Sequence, residues 1–385
     1  MCILLRVNAV EDLSAYAISG AVKASPPAGR RFPSECRTPA EGIADGIEAE
    51  RLGFSRVWVS ERYDIKHADV VLSGIAARTE RIRLATGTID PQTRQIWNTA
   101  AFGATMHACY GPRLDLCLGL GDDAIFRHMG LRKASYREII EYVSLYRRLW
   151  AGETVSYDGQ SGVFADFSMS ETFDGEPPRL WLGSFANPQG AETIAAAFDG
   201  VILPPIFTPG ATRAAVGRIR DACARIGRDP GEVRIVQSVV TAPDLSEEEA
   251  RQLAHGRTVS YFVYPGYGEN LARVNGWDED VVLAVRRHPM FTGVGKVPDM
   301  VFHRHEMLAP AELIPDEWML DSCAIGTAEE CATNLRRFID AGADEVATYG
   351  STPGQNAGLI DAWRLAKRET ARETARETAR ETADA

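Results

Sequence analysis

The chain has 385 residues, 45% of them hydrophobic; α/β barrels routinely exceed about 250 residues as one unit, so length imposes no second domain. Its 42 basic and 53 acidic residues leave a net charge of −11, which argues against a nucleic-acid or anionic-membrane partner, because phosphates would be repelled. Seven cysteines without CxxC spacing, several in apolar contexts such as LDLCLGL, read as reduced buried thiols with no metal site.

Residues 1–12 read as an extension. Their apolar run is too short and meets Glu11 and Asp12 too soon for a good signal peptide, and no window approaches ~18 apolar residues, so a cytoplasmic protein is expected. LSAYAISG (13–20) is the first short apolar strand, and the proline-rich segment 23–39 is a loop. Thr38 and Pro39 start the helix AEGIADGIEAERLG, which Gly53 ends. SRVWVS (55–60) is a buried strand, HADVVLSGIAART (67–79) a helix, and RIRLATGT (81–88) the third strand. A helix from Ile96 leads to RLDLCLGLG (113–121), where Leu114, Leu116 and Leu118 alternate with Asp115 and Cys117. Strand and helix repeat every 25 to 30 residues or so, which forces parallel pairing.

YREIIEYVSLYRRLWAG is the next helix, followed by a surface excursion from Glu153 to Pro178. RLWLGS (179–184) is strand five, DGVILPP (199–205) strand six, and VRIVQSVVTA (233–242) strand seven, with a helix from about 211 to 226 between the last two. Residues 246–325, mainly helical, exceed one crossover and read as an insertion over the barrel mouth. DEVATYG (344–350) is strand eight, followed by a helix to Lys367. Eight strands alternating with helices predict a (β/α)8 TIM barrel spanning 13–367, with a helical insertion between strands seven and eight. No G-x-G-x-x-G follows the first strand, which weakens an open dinucleotide-binding sheet. From Arg368 the tail repeats Arg-Glu-Thr-Ala four times; with no large apolar residue it cannot bury a face.

In such a barrel the site lies where the strands end. That gathers Ser60, Glu61 and Arg62; Thr88, Ile89 and Asp90; Gly119, Gly121 and Asp122; Gly183, Ser184 and Asn187; and Leu203, Pro204, Tyr349 and Ser351. Asp122 is the carboxylate best placed for general acid/base work, or it caps the following helix. Asn187 and Pro188 open a helix whose free amides favour an anion, and equally make an N-cap with proline at N1. His107, within a helix, is expected to be structural. Tyr261, Phe262, Tyr264 and Tyr267 either wall an apolar substrate pocket or pack as a helix core.

The run RLATGTIDPQTRQ, with VWVSERYDIK before it and RLDLCLGLGDD after it, resembles the luciferase-like monooxygenase superfamily. It is most similar to the branch using the deazaflavin coenzyme F420, to which methylenetetrahydromethanopterin reductase belongs. The pattern Gly-x-x-x-Asn/Asp-Pro-x-Thr-Arg appears here as Gly87, Asp90, Pro91, Thr93 and Arg94, and the match extends through PRLWLGSFANPQG and GTAEECATNLRRFIDAGADEVATYG. The resemblance implies a deazaflavin ring at the mouth, bound by Ser60, Thr88, Ile89, Asp90, Gly119, Gly121, Gly183, Ser184, Asn187 and Leu203, with the ring's phosphate near Ser184. It implies a non-prolyl cis peptide at Thr88–Ile89, catalytic residues among Asp122, Glu61 and Arg62, a small-molecule substrate and a homodimer. Where many relatives carry a histidine after the acidic residue of strand two, this chain has Arg62, which suits an anionic group. An FMN-dependent monooxygenase of the same fold is the rival reading, and an inactive cofactor-binding relative a second.

Overall fold

The computed structural model describes residues 9–17, 38–63, 66–159, 162–170, 175–294 and 301–368. The N-terminal extension before residue 9, most of the 23–39 loop and the tail beyond 368 lie outside these. In chain order the elements are β1 (Leu13–Tyr16), α1 (Pro39–Leu52), β2 (Arg56–Val59), α2 (Ala68–Ala76), β3 (Arg83–Thr86), α3 (Ile96–Tyr110), β4 (Leu114–Leu118), α4 (Asp123–His128) and α5 (Tyr136–Trp150). Then follow β5 (Val155–Gly159), β6 (Gly162–Phe167), β7 (Arg179–Gly183), α6 (Pro188–Ala197), β8 (Gly200–Leu203), α7 (Pro209–Arg225) and β9 (Arg234–Pro243).

Eight strands close on themselves in the order β1, β2, β3, β4, β7, β8, β9, β11, every neighbour parallel, with β11 (Glu345–Tyr349) returning to β1. This is the (β/α)8 barrel that the alternation of strands and helices predicted. Local chemistry sets its helix starts. Thr38 and Glu41 form a reciprocal capping box on α1 with Pro39 in the first turn, and Ser135 with Glu138 does the same for α5.

Two departures stand out. The excursion at 153–178 contains an antiparallel hairpin, β5 with β6, whose Phe164 and Phe167 pack on Trp97 of α3 at ring separations of 5.6 Å. Between β9 and β11 the described residues form α8 (Glu247–Arg251), a π-helical turn at Gln252–Gly256, α9 (Arg257–Phe262), α10 (Tyr267–Asn275), α11 (Glu279–Arg286), α12 (Leu308–Ala311) and α13 (Asp316–Ser322). A short strand, β10 (Ala324–Gly326), then pairs with the far end of the ten-residue β9, ahead of α14 (Ala328–Asp340). Three residues are too few for a period-two pattern to show in the sequence.

Alternation decides what fills the barrel. Leu114, Leu116 and Leu118 of β4 face the helices, whereas Asp115 and Cys117 face inward. The middle layer is aromatic: Trp58 and Trp181 meet edge-on at 5.6 Å, under Tyr16 and Tyr349, which do so at 4.9 Å. The floor is ionic. Arg56 donates to Asp115 at 2.8 Å and to Glu345 at 2.6 Å, Arg83 adds a 2.5 Å pair to Asp115, and Arg234 a 3.0 Å pair to Glu345. Arg56 also lies over the Trp58 and Trp181 rings at 5.3 and 4.7 Å, tying floor to aromatic layer.

Removing one partner of a buried ion pair leaves the other charge uncompensated. Glu345→Gln is therefore expected to cost about 3–5 kcal/mol of unfolding free energy, read from urea transitions; a loss below about 1 kcal/mol, the scale of an exposed pair, would show that the floor does not hold the barrel together.

Candidate active site

The ends of β2, β3, β4 and β7 build one crowded corner of the barrel mouth. The peptide between Gly87 and Thr88 is cis, one bond earlier than the Thr88–Ile89 position expected from the family resemblance. The residues on either side of Thr88 are closely held. A side chain at Gly87 would come within 2.9 Å of the Tyr16 hydroxyl, so only glycine fits there. Ile89 is committed elsewhere: its amide donates to Cys117 at 3.0 Å and its carbonyl accepts from Gly119 at 2.8 Å, a parallel bridge extending β3 against β4.

Thr88 and Asp90 pack where neighbouring strands carry glycine. A Cβ on Gly119 would fall 2.7 Å from Thr88 Oγ1 and closer still to an Asp90 carboxylate oxygen, and one on Gly183 would fall 2.6 Å from Thr88 Cγ2. The β3–β4 residues and the β7 residues therefore meet through Thr88. Asp90 is 7% exposed. Its carboxylate takes a short hydrogen bond from the Tyr63 hydroxyl and another from the Gly121 amide. Burial, with the nearby charges of Glu61 and Asp122, outweighs these bonds and pushes the Asp90 carboxyl up to about 6. Burial and then the Asp90 charge push the Tyr63 phenol up.

Glu61, expected among the catalytic residues, is an ion-pair partner of Arg94, and its carboxylate also accepts from the amide of Ala68, the first residue of α2. Arg94 reaches Asp69 at 3.0 Å and His67 at 3.4 Å, so a guanidinium already sits among Glu61, His67 and Asp69, whose potential ligand atoms cluster within 4.8 Å. That trio carries no metal reading. Arg62 is fixed by a two-way backbone bridge to Lys66, whose ammonium donates to Ser60 at 3.3 Å. Asp122 caps α4, accepting from the Ile125 amide at 3.1 Å, the second of the two roles open to it.

At the β7 side, Ser184 Oγ accepts from Ala186, and Asn187 caps α6 by accepting from Gly190 at 2.8 Å. A Cβ on Gly190 would lie 3.0 Å from both Ser184 Oγ and Tyr136 Oη and 3.1 Å from Asn187 Oδ1, which accepts from the Tyr136 hydroxyl at 3.3 Å, so glycine lets these three groups close on the start of α6. The side chains of Leu203 and Ile89 belong to the core between sheet and helices. Across the mouth Tyr261 donates to Tyr349 at 3.0 Å and stacks on Tyr267 at 5.1 Å, while Phe262 turns into the helical core against Trp277 and Trp318. His107 is structural: its Nε2 accepts from Leu114, its Nδ1 meets the Glu176 carbonyl, and burial lowers its pKa.

The chain matches the luciferase-like monooxygenase family over residues 27–345. It belongs to that family. A curated relative, the 5,10-methylenetetrahydromethanopterin reductase of Methanolobus tindarius, is 26% identical over 314 residues, 80% of this chain and 89% of the relative. The F420-dependent glucose-6-phosphate dehydrogenase of Nakamurella multipartita is 26% identical over 230 residues, 56% of this chain and 67% of the relative. Among solved structures, the coenzyme F420 dependent tetrahydromethanopterin reductase from Methanopyrus kandleri superposes with a TM-score of 0.71 at 18% identity, covering 91% of this chain and 97% of the other, a likeness of fold.

Sequence reading overlooked Tyr63, Tyr136, Lys66 and Gln92. Tyr63 is next to Arg62, but its partner Asp90 lies 27 residues away on another strand, a distance no local pattern reports. Because the folded Asp90 pKa lies above that of an unfolded aspartate, its contribution to stability is present below about pH 4 and lost as pH rises through about 6. Relative to Asp90→Asn, the protein should thus lose on the order of 2–3 kcal/mol between pH 4 and 7. Urea unfolding of both proteins across that range measures it; parallel curves would refute the shift.

Proposed function

We propose that this protein is an F420-dependent oxidoreductase, exchanging a hydride between the deazaflavin C5 and a small organic substrate. The observation that carries the reading is the start of α6, where Ser184, Tyr136 and Asn187 gather polar atoms around the bare Gly190. Ser184 and Tyr136 offer hydroxyls, and the ten-residue α6 offers its positive end, which together suit the phosphate of a ribityl chain. A second feature fits the ring. Gln92 donates to the Leu120 carbonyl at 3.0 Å, leaving its Oε1 buried without a partner, an acceptor for an N–H of the pyrimidine edge. The curated relatives that use F420 support the same assignment.

When bound, a deazaflavin supplies a carbon centre that gives or takes hydride and forms no oxygen adduct. The chain's own part is positioning and exclusion of water. Ser60, Thr88, Asp90, Gly119, Gly121, Gly183, Ser184 and Asn187 would hold the group, with Ile89 and Leu203 backing it from the core. Tyr261, Tyr267 and Tyr349 would wall the substrate side, and the fixed charges of Glu61, Arg62 and Asp122 would set the electrostatics around it. Among the described residues no helix is long and apolar enough to cross a membrane, and a cytoplasmic homodimer is consistent with this role.

F420 should bind the purified protein with micromolar or tighter affinity, on the order of −8 kcal/mol, quenching its fluorescence, and several-fold more tightly than FMN. Tighter FMN binding, with substrate-dependent oxygen uptake by the reduced flavin, would replace this reading with the monooxygenase; binding of neither would favour an inactive relative. Ser184→Ala with Tyr136→Phe should weaken F420 binding by about tenfold or more, since hydrogen bonds to charged groups are worth roughly 1.5–3 kcal/mol. Unchanged affinity would move the phosphate elsewhere.

A further inference from the structure

We propose that Tyr63 and Asp90 form the proton-exchanging pair of this site, with Tyr63 meeting the substrate heteroatom and Asp90 acting through it; the proposal rests on the oxidoreductase reading above. Hydride transfer to a carbonyl or imine carbon places a negative charge on its oxygen or nitrogen, so a proton must be supplied there. Arg62, at the end of β2, does not supply it, because a guanidinium does not exchange protons near neutrality.

The other carboxylates at the mouth are otherwise engaged. Glu61 is held by Arg94 and the Ala68 amide, and Asp122 caps α4. Asp90 instead meets a phenol, a group that both gives and takes a proton. Tyr63 is half-buried, braced edge-on by Phe126 at 5.8 Å, and its hydroxyl meets the buried Asp90 carboxyl. The groups facing Asp90 are Tyr63 and Glu61 from the segment after β2, Asp122 and the Gly121 amide from the segment after β4, and the Cys117 thiol of β4. The two acids oppose its ionisation, and the phenol and amide favour it.

The step balances. In reduction, the substrate carbon receives hydride with its electron pair from the reduced deazaflavin. The Tyr63 O–H bond breaks as its proton goes to the substrate heteroatom, and the Asp90 carboxyl proton replaces it on the Tyr63 oxygen. Asp90 is left as carboxylate and regains a proton from solvent. Oxidation runs the same transfers backwards.

Two measurements on the full chain test the pair. Without cofactor or substrate, infrared titration should show a buried carboxyl band that disappears with a midpoint near pH 6. The band should be absent from Asp90→Asn, its midpoint higher in Tyr63→Phe, which loses the bond favouring the carboxylate, and lower in Asp122→Asn, which loses an opposing charge. Absence of the band, or a midpoint unmoved in Tyr63→Phe, overturns the proposal. With F420 and whichever of 5,10-methylenetetrahydromethanopterin or glucose 6-phosphate the wild type turns over, Tyr63→Phe and Asp90→Asn should each lower kcat by about 100-fold or more, while in Tyr63→Phe F420 affinity by fluorescence stays within about threefold. The wild-type rate of reduction should fall above the infrared midpoint, and in Asp122→Asn that fall should move to lower pH. Unchanged kcat in both variants overturns the pair. Failure of the wild type to bind F420 overturns the cofactor reading instead, while the infrared titration still decides whether Tyr63 and Asp90 share a proton.

Discussion

Three glycines at the ends of β3, β4 and β7 set the steric constraint on which the mouth depends. Gly87 makes room for the Tyr16 hydroxyl, Gly119 for Asp90 and the Thr88 hydroxyl, and Gly183 for the Thr88 methyl. Any Cβ at these places would collide with a side chain already confined by the barrel wall, and close-packed interiors yield little. The Thr88–Asp90 segment is therefore pressed into one arrangement, and the charge pattern of the site follows from it.

That arrangement places four ionisable groups, Glu61, Tyr63, Asp90 and Asp122, in one corner and separates them by what each touches. Glu61 meets a guanidinium and stays paired; Asp122 meets a helix start; Asp90 meets a phenol and an amide, and its burial outweighs both. Environment rather than residue type thus divides one set of carboxylates into a structural anchor, a helix cap and a group poised to hold a proton near pH 6. At the opposite end of the barrel the same physics is used for cohesion, where Arg56 is shared between Asp115 and Glu345 beneath the aromatic layer.

The chain's amino-acid order determined much of this architecture on its own. The recurrence of short apolar strands and helices implied parallel pairing, and the alternation of Leu114, Leu116 and Leu118 with Asp115 and Cys117 separated the two faces of β4, which the structure then turned to the helices and to the barrel interior. Thr38 before Pro39, and Asn187 before Pro188, carry their helix starts in the residues themselves, because capping is satisfied within one turn. The glycine-rich strand ends pointed to the mouth for the same local reason.

Tertiary structure decided what depends on distance along the chain. Arg56, buried between Asp115 and Glu345, joins residues 59 and 289 positions apart, and in sequence Arg56 and Asp115 look like ordinary strand polars. The need for glycine at 87 turned on Tyr16 of β1, two strands away across β2. Asp122, Glu61 and Asp90 are chemically similar carboxylates in the sequence, and only the neighbours brought by folding gave one of them a phenol. Local rules report caps, periods and turns; the pKa of a buried acid is a sum over groups that the fold alone brings within reach.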